Sequence, residues 1–301
     1  MATIFSRFDF QEGLQTFCVM QWIPVYIFLG AIPILLIPYF LVFTEFWAVA
    51  VLLAYDWNTH SRGGRRIAWV RNWNLWKNFC DYFPIKLVKT HDLSPKHNYI
   101  IANHLHGVFS YGAFINFATE ATGFARIFPS ITPFTATLDG VFWIPLVRDY
   151  VMSMGMCPVS KLALEYTLNQ KDSGNAVVIM VGGASESLLY CPGSSTILLK
   201  HRKGFIKLAL ETGAYLVPSY SFGENEVYHQ EIFPEGSWGF LPFSRSITTV
   251  VGEPLPIPKI KRANKETVDK YHALYISALR KLFDQHKVEY GLSENQELTI
   301  I

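Results

Sequence analysis

Two histidines follow a predicted strand at a spacing of two residues. Residues 98 to 102 have the short apolar pattern of a strand, and His104 and His106 come directly after it in the sequence Asn-His-Leu-His-Gly. In open α/β sheets ligands bind outside the carboxyl ends of the strands, and a neutral imidazole is suited to general base catalysis near neutral pH. Because residues two apart project to the same side of an extended backbone, the pair is predicted to share one pocket.

Three other interpretations of this region remain open: a metal site, a serine nucleophile and a purely structural pair of histidines. A His-x-His sequence can supply two zinc ligands, and the further candidates are Cys157, Cys191 and Glu186, none at a recognised ligand spacing. Residues 183 to 187 read Gly-Ala-Ser-Glu-Ser, which lacks the closing glycine of a nucleophile elbow. The sequence therefore favours a site without metal or cofactor.

A carboxylate and a cationic cluster complete the candidate site. Residues 175 to 181 predict a buried strand, and Glu186 follows it at the same sheet edge as the histidines. Glu186 is suited to orient an imidazole or a substrate hydroxyl, or else to cap a helix. Lys200, Arg202 and Lys203 precede an apolar helix and are suited to bind phosphate groups, unless they form a solvated face.

Gly107 is expected to lie at the start of a helix predicted over residues 107 to 120. Backbone amides at a helix N-terminus attract negative charge. The amides near Gly107 are therefore candidates for stabilising an oxyanion that forms in a reaction.

A long apolar region precedes these residues. Residues 22 to 43 contain no charged side chain, and the apolar character resumes after Glu45 and continues to Trp57. This length suffices for two membrane spans of about 18 residues, so the sequence predicts a transmembrane helical hairpin, with a re-entrant loop as the alternative. Arginines and lysines concentrate just after the hairpin, which predicts that both tails face the cytosol.

The segment after the hairpin is rich in tryptophan. Trp69, Trp73 and Trp76 recur at helical spacing with basic residues between them, so residues 66 to 83 are predicted to form an amphipathic helix in the lipid head-group layer. A core helix is the alternative. The chain thus divides into a tail and hairpin over residues 1 to 57 and a cytosolic domain over residues 58 to 301.

The composition indicates one folded domain behind a membrane anchor. The chain has 301 residues, of which 50% are hydrophobic, and its net charge of +2 is too small to indicate a nucleic-acid partner. Short β-rich runs alternate with helical stretches, which predicts an α/β domain with a mostly parallel sheet. A last helix is predicted to begin after Asn264 and to end before Gly291.

The ordered motifs resemble those of the type 2 diacylglycerol acyltransferases and their monoacylglycerol and wax-alcohol acyltransferase relatives. The resemblance covers nearly the whole chain, and the matching residues are the hairpin, 82–84, 104–107, 128–130, 181–186, 202–205, 216–218 and 222–226. It implies a multi-pass endoplasmic-reticulum membrane enzyme with a cytosolic domain similar to the glycerophosphate acyltransferases. Such an enzyme transfers a fatty acyl group from the substrate acyl-CoA to diacylglycerol, monoacylglycerol or a long-chain alcohol, and needs no cofactor.

The resemblance also implies roles for particular residues. The family's His-Pro-His-Gly motif corresponds to residues 104 to 107, so His104 and His106 inherit its proposed catalytic role, although Leu105 replaces the proline. Relatives carry a few dozen extra residues where Gly236 and Ser237 adjoin here. These departures support an alternative function: a catalytically silent membrane protein that binds acyl chains or pairs, as a homo- or hetero-oligomer, with an active relative.

Overall fold

The computed structural model describes residues 10–21, 31, 39, 56–170, 172–189, 191–230, 234–235 and 241–301. The hairpin predicted over residues 22 to 57 lies outside these ranges except for positions 31 and 39 and its last two residues. Within the described part of the chain, every helix is too short or too polar to span a bilayer.

Seven of the described strands form one sheet. They are β1 (Lys86–Lys89), β2 (Tyr99–His104), β3 (Thr132–Thr137), β4 (Met156–Pro158), β5 (Asn175–Met180), β7 (Tyr215–Phe222) and β10 (Thr248–Val251). Their order across the sheet is β1-β10-β7-β2-β5-β3-β4. Two short pairs lie outside it, formed by β6 (Thr196–Ile197) with β11 (Thr299–Ile300) and by β8 (His229–Gln230) with β9 (Pro234–Glu235).

Helices connect and cover these strands. The α-helices are Phe10–Met20, Ala68–Arg71, Asn74–Tyr82, Tyr111–Ala113, Phe124–Ile127, Val147–Ser153, Lys161–Leu168, Gly183–Ser187, Gly204–Thr212 and Lys265–His286. The helix at Tyr111 continues as a π-helix over Phe114–Ala118, and single 3-10 turns lie at Thr59–Ser61, Asp139–Trp143 and Glu224–Glu226. The last long helix begins as predicted, because the Asn264 side chain accepts a hydrogen bond from the Thr267 amide.

The sheet is mostly parallel, which confirms the predicted α/β class. Strands β7, β2, β5, β3 and β4 run in the same direction, and β10 pairs antiparallel with β7. The central strands β2 and β5 are buried along almost their whole length, as expected for strands that are covered on both faces. The carboxyl ends of five strands therefore meet at one edge of the domain.

The helix predicted over residues 107 to 120 begins later than expected. Residues 107 to 109 form turns, and the α-helix begins only at Tyr111. Gly107 has a φ of +57°, which lies in the left-handed region and outside right-handed α-helical geometry. The prediction that placed Gly107 at a helix N-terminus is therefore wrong.

The tryptophan-rich segment is two helices, and the prediction of one helix over residues 66 to 83 is wrong. The chain leaves helical geometry after Arg71 and resumes it at Asn74. Trp76 and Phe79 are fully buried, whereas Trp69 is 72% exposed. The core interpretation thus holds for part of the segment, and the interfacial position of the remainder stays a prediction.

A buried arginine joins the first of these helices to the rest of the domain. The Arg71 guanidinium is 1% exposed and donates to the carbonyls of Phe117, Thr119 and Met154 and to the Glu120 carboxylate. Burial lowers the pKa of Arg71 to about 10, so it stays charged at neutral pH. One side chain therefore connects the first helix to two other parts of the chain, residues 117 to 120 and Met154.

Replacing this arginine is expected to make the folded protein less stable. Arg71→Leu removes the donor of three carbonyls and one of the donors of the Glu120 carboxylate, which should lower the free energy of unfolding by about 3 kcal/mol. Thermal unfolding of the purified full chain in detergent, followed by near-ultraviolet circular dichroism, measures the change. The exposed Arg126→Leu is the matched control, and equal stability of the two variants would contradict this account.

Candidate active site

A cavity opens at the sheet edge where the carboxyl ends of the parallel strands meet. Its volume is about 500 Å³, and its lining includes His106, Phe114, Val141, Met156 and Ile179. These residues come from the segments that follow β2 and β3 and from β4 and β5 themselves. The walls are largely apolar, and the His106 ring is the titratable side chain that reaches the cavity from the described lining.

The His106 ring is held as a neutral base. Its Nδ1 lies 3.2 Å from the carbonyl oxygen of Gly107, and a carbonyl only accepts, so Nδ1 carries the proton. This leaves Nε2 as the basic nitrogen. Burial lowers the pKa of His106, which keeps the ring neutral at physiological pH. A neutral imidazole at an apolar cavity is ready to accept a proton.

His104 lies in a different environment, so the predicted shared pocket is wrong. Its ring is 0% exposed, and it is absent from the described lining of the cavity. The Tyr275 hydroxyl donates to the Ala102 carbonyl at 3.0 Å, so it accepts from His104 Nε2, also at 3.0 Å. His104 Nδ1 finds no hydrogen-bond partner within the described ranges, and burial lowers the pKa of the ring to about 3. His104 is therefore a neutral core residue.

Glu186 holds the backbone of the site, and it does not bond the His106 ring. One carboxylate oxygen accepts the His106 amide at 2.7 Å, and the other accepts the Leu198 amide at 2.9 Å. Gly182 provides the space, because a Cβ there would overlap the Glu186 carboxylate. Burial raises the pKa of Glu186, while the two amides and nearby Arg202 oppose that shift. The carboxylate thus fixes where the His106 backbone lies.

Gly107 makes the turn after His106 possible. Its φ of +57° favours glycine, and a Cβ there would lie 2.7 Å from the Cγ of Glu224. The amide of Gly107 is not placed at a helix N-terminus, so the oxyanion role of this residue stays a prediction. What the structure establishes is a turn packed tightly against Glu224.

Glu224 is a site residue that the sequence analysis did not select. Its side chain is 1% exposed; one oxygen accepts the Gly112 amide at 2.9 Å, and the other has no hydrogen-bond partner in the described part of the chain. Burial raises the pKa of Glu224 to about 8. Its position after Phe222 and Gly223, inside one of the family motifs, was the available signal.

The three predicted phosphate-binding residues make different contacts. Arg202 donates to the Ser185 hydroxyl at 3.2 Å, on the helix Gly183–Ser187 that borders the cavity. Lys203 pairs with Asp269 at 2.6 Å, and Lys200 is exposed. Arg202 is therefore the member of the cluster that the structure brings closest to the site.

The candidates for metal binding are dispersed. Cys157 is buried in β4 and Cys191 is exposed in a loop. Within the described ranges no three residues of the types His, Cys, Asp or Glu are arranged to hold a metal ion.

A family comparison decides the class of this protein. A sequence model described as "Diacylglycerol acyltransferase" matches residues 39–238 and 231–301. The chain belongs to the diacylglycerol acyltransferase family. It is therefore an acyltransferase, as the motifs predicted.

Individual relatives span almost the whole chain. Diacylglycerol O-acyltransferase 2-like protein 6 of Homo sapiens is 71% identical, over 98% of this chain and 99% of that protein. Acyl-CoA wax alcohol acyltransferase 2 of Homo sapiens is 47% identical over 98% and 99%. Diacylglycerol O-acyltransferase 2 of Mus musculus is 46% identical over 99% and 85%. The 1-acyl-sn-glycerophosphate (LPA) acyltransferase PlsC from Thermotoga maritima, a solved structure, is similar with a TM-score of 0.45 and 15% identity, over 90% of this chain and 97% of that chain.

The comparisons also locate the missing residues. The match to the 71% identical relative extends over 333 positions, whereas this chain has 301 residues, so at least 32 positions have no counterpart here. The two matched segments of the diacylglycerol acyltransferase model meet at residues 231 to 238, which include the predicted junction of Gly236 and Ser237. Most of these residues lie outside the described ranges.

The Glu186 contacts predict a loss of activity for a conservative variant. Glu186→Gln keeps one carbonyl oxygen but turns an NH₂ group toward the second amide, so one of the two backbone bonds is lost. We expect the acyl-transfer rate in membranes to fall about 100-fold, because small displacements of catalytic groups are costly. Glu226→Gln, at an exposed carboxylate that accepts the Gly193 amide, is the control. Full activity of a folded Glu186→Gln variant would contradict the positioning role.

The raised pKa of Glu224 predicts a pH-dependent stability. Between the ordinary value of 4.5 and the folded value of about 8, the unfolded chain has lost this proton and the folded chain keeps it. The unfolded state then binds fewer protons, so stability falls as pH rises through this window. Glu224→Gln resembles the protonated acid and should lose less stability between pH 5 and pH 8. Midpoints of thermal unfolding measured at both pH values check this, and identical slopes for the two proteins would contradict it.

Proposed function

We propose that this chain is an acyl-CoA-dependent O-acyltransferase that makes neutral lipid, with His106 as the general base. Membership of the diacylglycerol acyltransferase family supports acyl transfer from acyl-CoA to a lipid acceptor. The observation that carries the choice of base is the position of His106 in the lining of the cavity. Its Nδ1 carries the proton, and its Nε2 has no hydrogen-bond partner among the described residues. The product is triacylglycerol or a wax ester.

The proposed reaction is a direct transfer. The lipid hydroxyl gives its proton to Nε2 of His106 as its oxygen attacks the thioester carbonyl. The tetrahedral intermediate then collapses, the carbon–sulfur bond breaks, and the coenzyme A thiolate takes the proton back from His106. An ester and free coenzyme A are formed, and no covalent enzyme intermediate is needed.

Glu186 and His104 support this step without touching the reacting atoms. Glu186 fixes the backbone of His106 against the segment at Leu198, which keeps the ring at the cavity wall. His104 Nε2 donates a hydrogen bond to the Tyr275 hydroxyl and so connects the end of β2 to the C-terminal helix. Both residues are positioning residues in this proposal.

The acyl-CoA phosphates are assigned to the cationic cluster. Arg202 lies against the helix that borders the cavity, and exposed Lys200 is two residues away. Lys203 takes part by exchanging its partner Asp269 for a phosphate oxygen. The apolar cavity is assigned to the acyl chain.

The membrane assignments are part of the same proposal. The protein lies in the endoplasmic-reticulum membrane as a multi-pass protein with its catalytic domain in the cytosol, and residues 22 to 57 form the hairpin. The uncharged stretch from residue 22 to residue 43 supports this, and lipid acceptors dissolve only in such a membrane. The family comparisons do not favour the alternative of a silent partner protein.

The same substitution at both histidines tests the assignment. His106→Gln removes the base and should lower acyl transfer by about 100-fold or more, the usual contribution of general base catalysis. His104→Gln keeps an Nε2 donor for Tyr275 and should retain most of the activity. Labelled acyl-CoA is fed to membranes of acyltransferase-free cells that express the full chain, with diacylglycerol, monoacylglycerol and long-chain alcohol in competition.

The outcomes separate the possible base residues. Loss of activity in a folded His104→Gln variant, with an active His106→Gln variant, would overturn the assignment. Absence of any product from the unaltered chain, while the protein remains folded, would overturn the enzyme proposal. The ester that forms shows which of the three acceptors the enzyme uses.

A further inference from the structure

Large apolar side chains that are open to solvent gather around the mouth of the active-site cavity. Leu138 and Val159 line the cavity and are nevertheless 63% and 44% exposed. They follow β3 and β4, so they stand on neighbouring loops at the carboxyl edge of the sheet. Exposed apolar residues are common singly, but several on neighbouring segments at one sheet edge indicate a contact surface.

Further residues extend this surface outward from the mouth. Trp143 and Leu146 lie on the loop that begins with Leu138 and are 65% and 50% exposed. Leu162, in the helix after β4, is 78% exposed, and Leu188 is 77% exposed next to the lining residue Ser187. We call this group the mouth rim: Leu138, Trp143, Leu146, Val159, Leu162 and Leu188.

The mouth rim adjoins the place where the chain leaves the predicted membrane hairpin. The His60 ring stacks on Phe142, with 5.5 Å between the ring centroids, and Phe142 belongs to the same loop as Trp143. Arg148 donates to the Asp56 carbonyl at 2.7 Å, just past Leu146. Asp56 near the end of the predicted hairpin is therefore bonded to the helix Val147–Ser153, and His60 just after the hairpin packs on the loop that carries half of the rim.

We propose that the mouth rim docks on the lipid bilayer, so that the cavity opens directly into the apolar layer of the membrane. This inference rests on the proposed function, because the acceptor lipid must enter the cavity from the bilayer. A surface of leucines with an exposed tryptophan has the composition of membrane-interface contacts, in which apolar groups enter the boundary between head groups and acyl chains.

The position of the rim argues for lipid as its occupant and against a protein. The rim surrounds the entrance of an apolar cavity. A second copy of the chain or another protein seated on it would close the path of the acceptor, whereas a bilayer supplies the acceptor through the same contact. The rim also comes from separate loops after β3, β4 and β5, so it is not the single helix face that a helical partner covers.

Site-specific fluorescence in vesicles tests the contact. Cys191 is the exposed cysteine and Cys18, Cys80 and Cys157 are buried, so Cys191→Ser gives a background for labelling single introduced cysteines. Leu162→Cys and Leu188→Cys report on the rim. Leu274→Cys, at a 49% exposed leucine that lines a separate groove beside Thr90 and His91, is the control. Each variant of the full chain is labelled with nitrobenzoxadiazole and reconstituted into phosphatidylcholine vesicles.

Two quenchers then distinguish the surroundings of each label. We expect doxyl-labelled lipid to quench the labels at positions 162 and 188, and aqueous iodide to quench the label at position 274. Quenching of the rim labels by iodide but not by lipid would overturn the proposal. Rim labels protected from both quenchers would show a protein contact between copies, which also overturns it. The readout needs no turnover, so its failure leaves the acyltransferase proposal standing.

Discussion

The site depends on one carboxylate that accepts two backbone amides. Glu186 joins the His106 amide to the Leu198 amide, and so connects the turn after β2 to the segment that leads into the cationic cluster. Leu199 and Lys200, next along that segment, give their amides to the carbonyl of Ile301. The proposed base, the proposed phosphate-binding residues and the C-terminal strand are therefore linked through a single buried acid. Such a carboxylate is costly to bury unless its oxygens are bonded, so its contacts define one arrangement of the turn.

The end of β2 places two histidines, two residues apart, in different environments. His104 is the last residue of β2 and remains within the core, where the Tyr275 hydroxyl accepts a hydrogen bond from Nε2. His106 lies beyond the end of the strand, where the turn at Gly107 carries its ring to the cavity. Both rings are neutral because burial lowers both pKa values. Access to the cavity, and not the protonation state, separates the proposed base from the core residue.

The sequence predicts the fold better than the site. Strands β2 and β5 were predicted within one or two residues, since each is a short apolar run. The prediction that the two histidines share a pocket was wrong because it requires an extended backbone at both residues, and β2 ends at His104. The role of Glu186 was missed for a related reason: its partners are backbone amides, which leave no trace in the sequence. The prediction of a single helix over residues 66 to 83 was wrong because the helical spacing of the tryptophans does not show that the helix is interrupted after Arg71.

Chemical labelling of histidines tests the central claim most directly. The claim is that the His106 ring faces the substrate cavity while the His104 ring is sealed in the core. Diethyl pyrocarbonate acylates accessible neutral imidazoles, and mass spectrometry of the labelled chain reports each histidine separately. The account predicts that His106 is modified in the folded protein and protected by a non-hydrolysable acyl-CoA analogue, whereas His104 reacts only after unfolding. Modification of His104 in the folded protein, with protection by the same analogue, would contradict it.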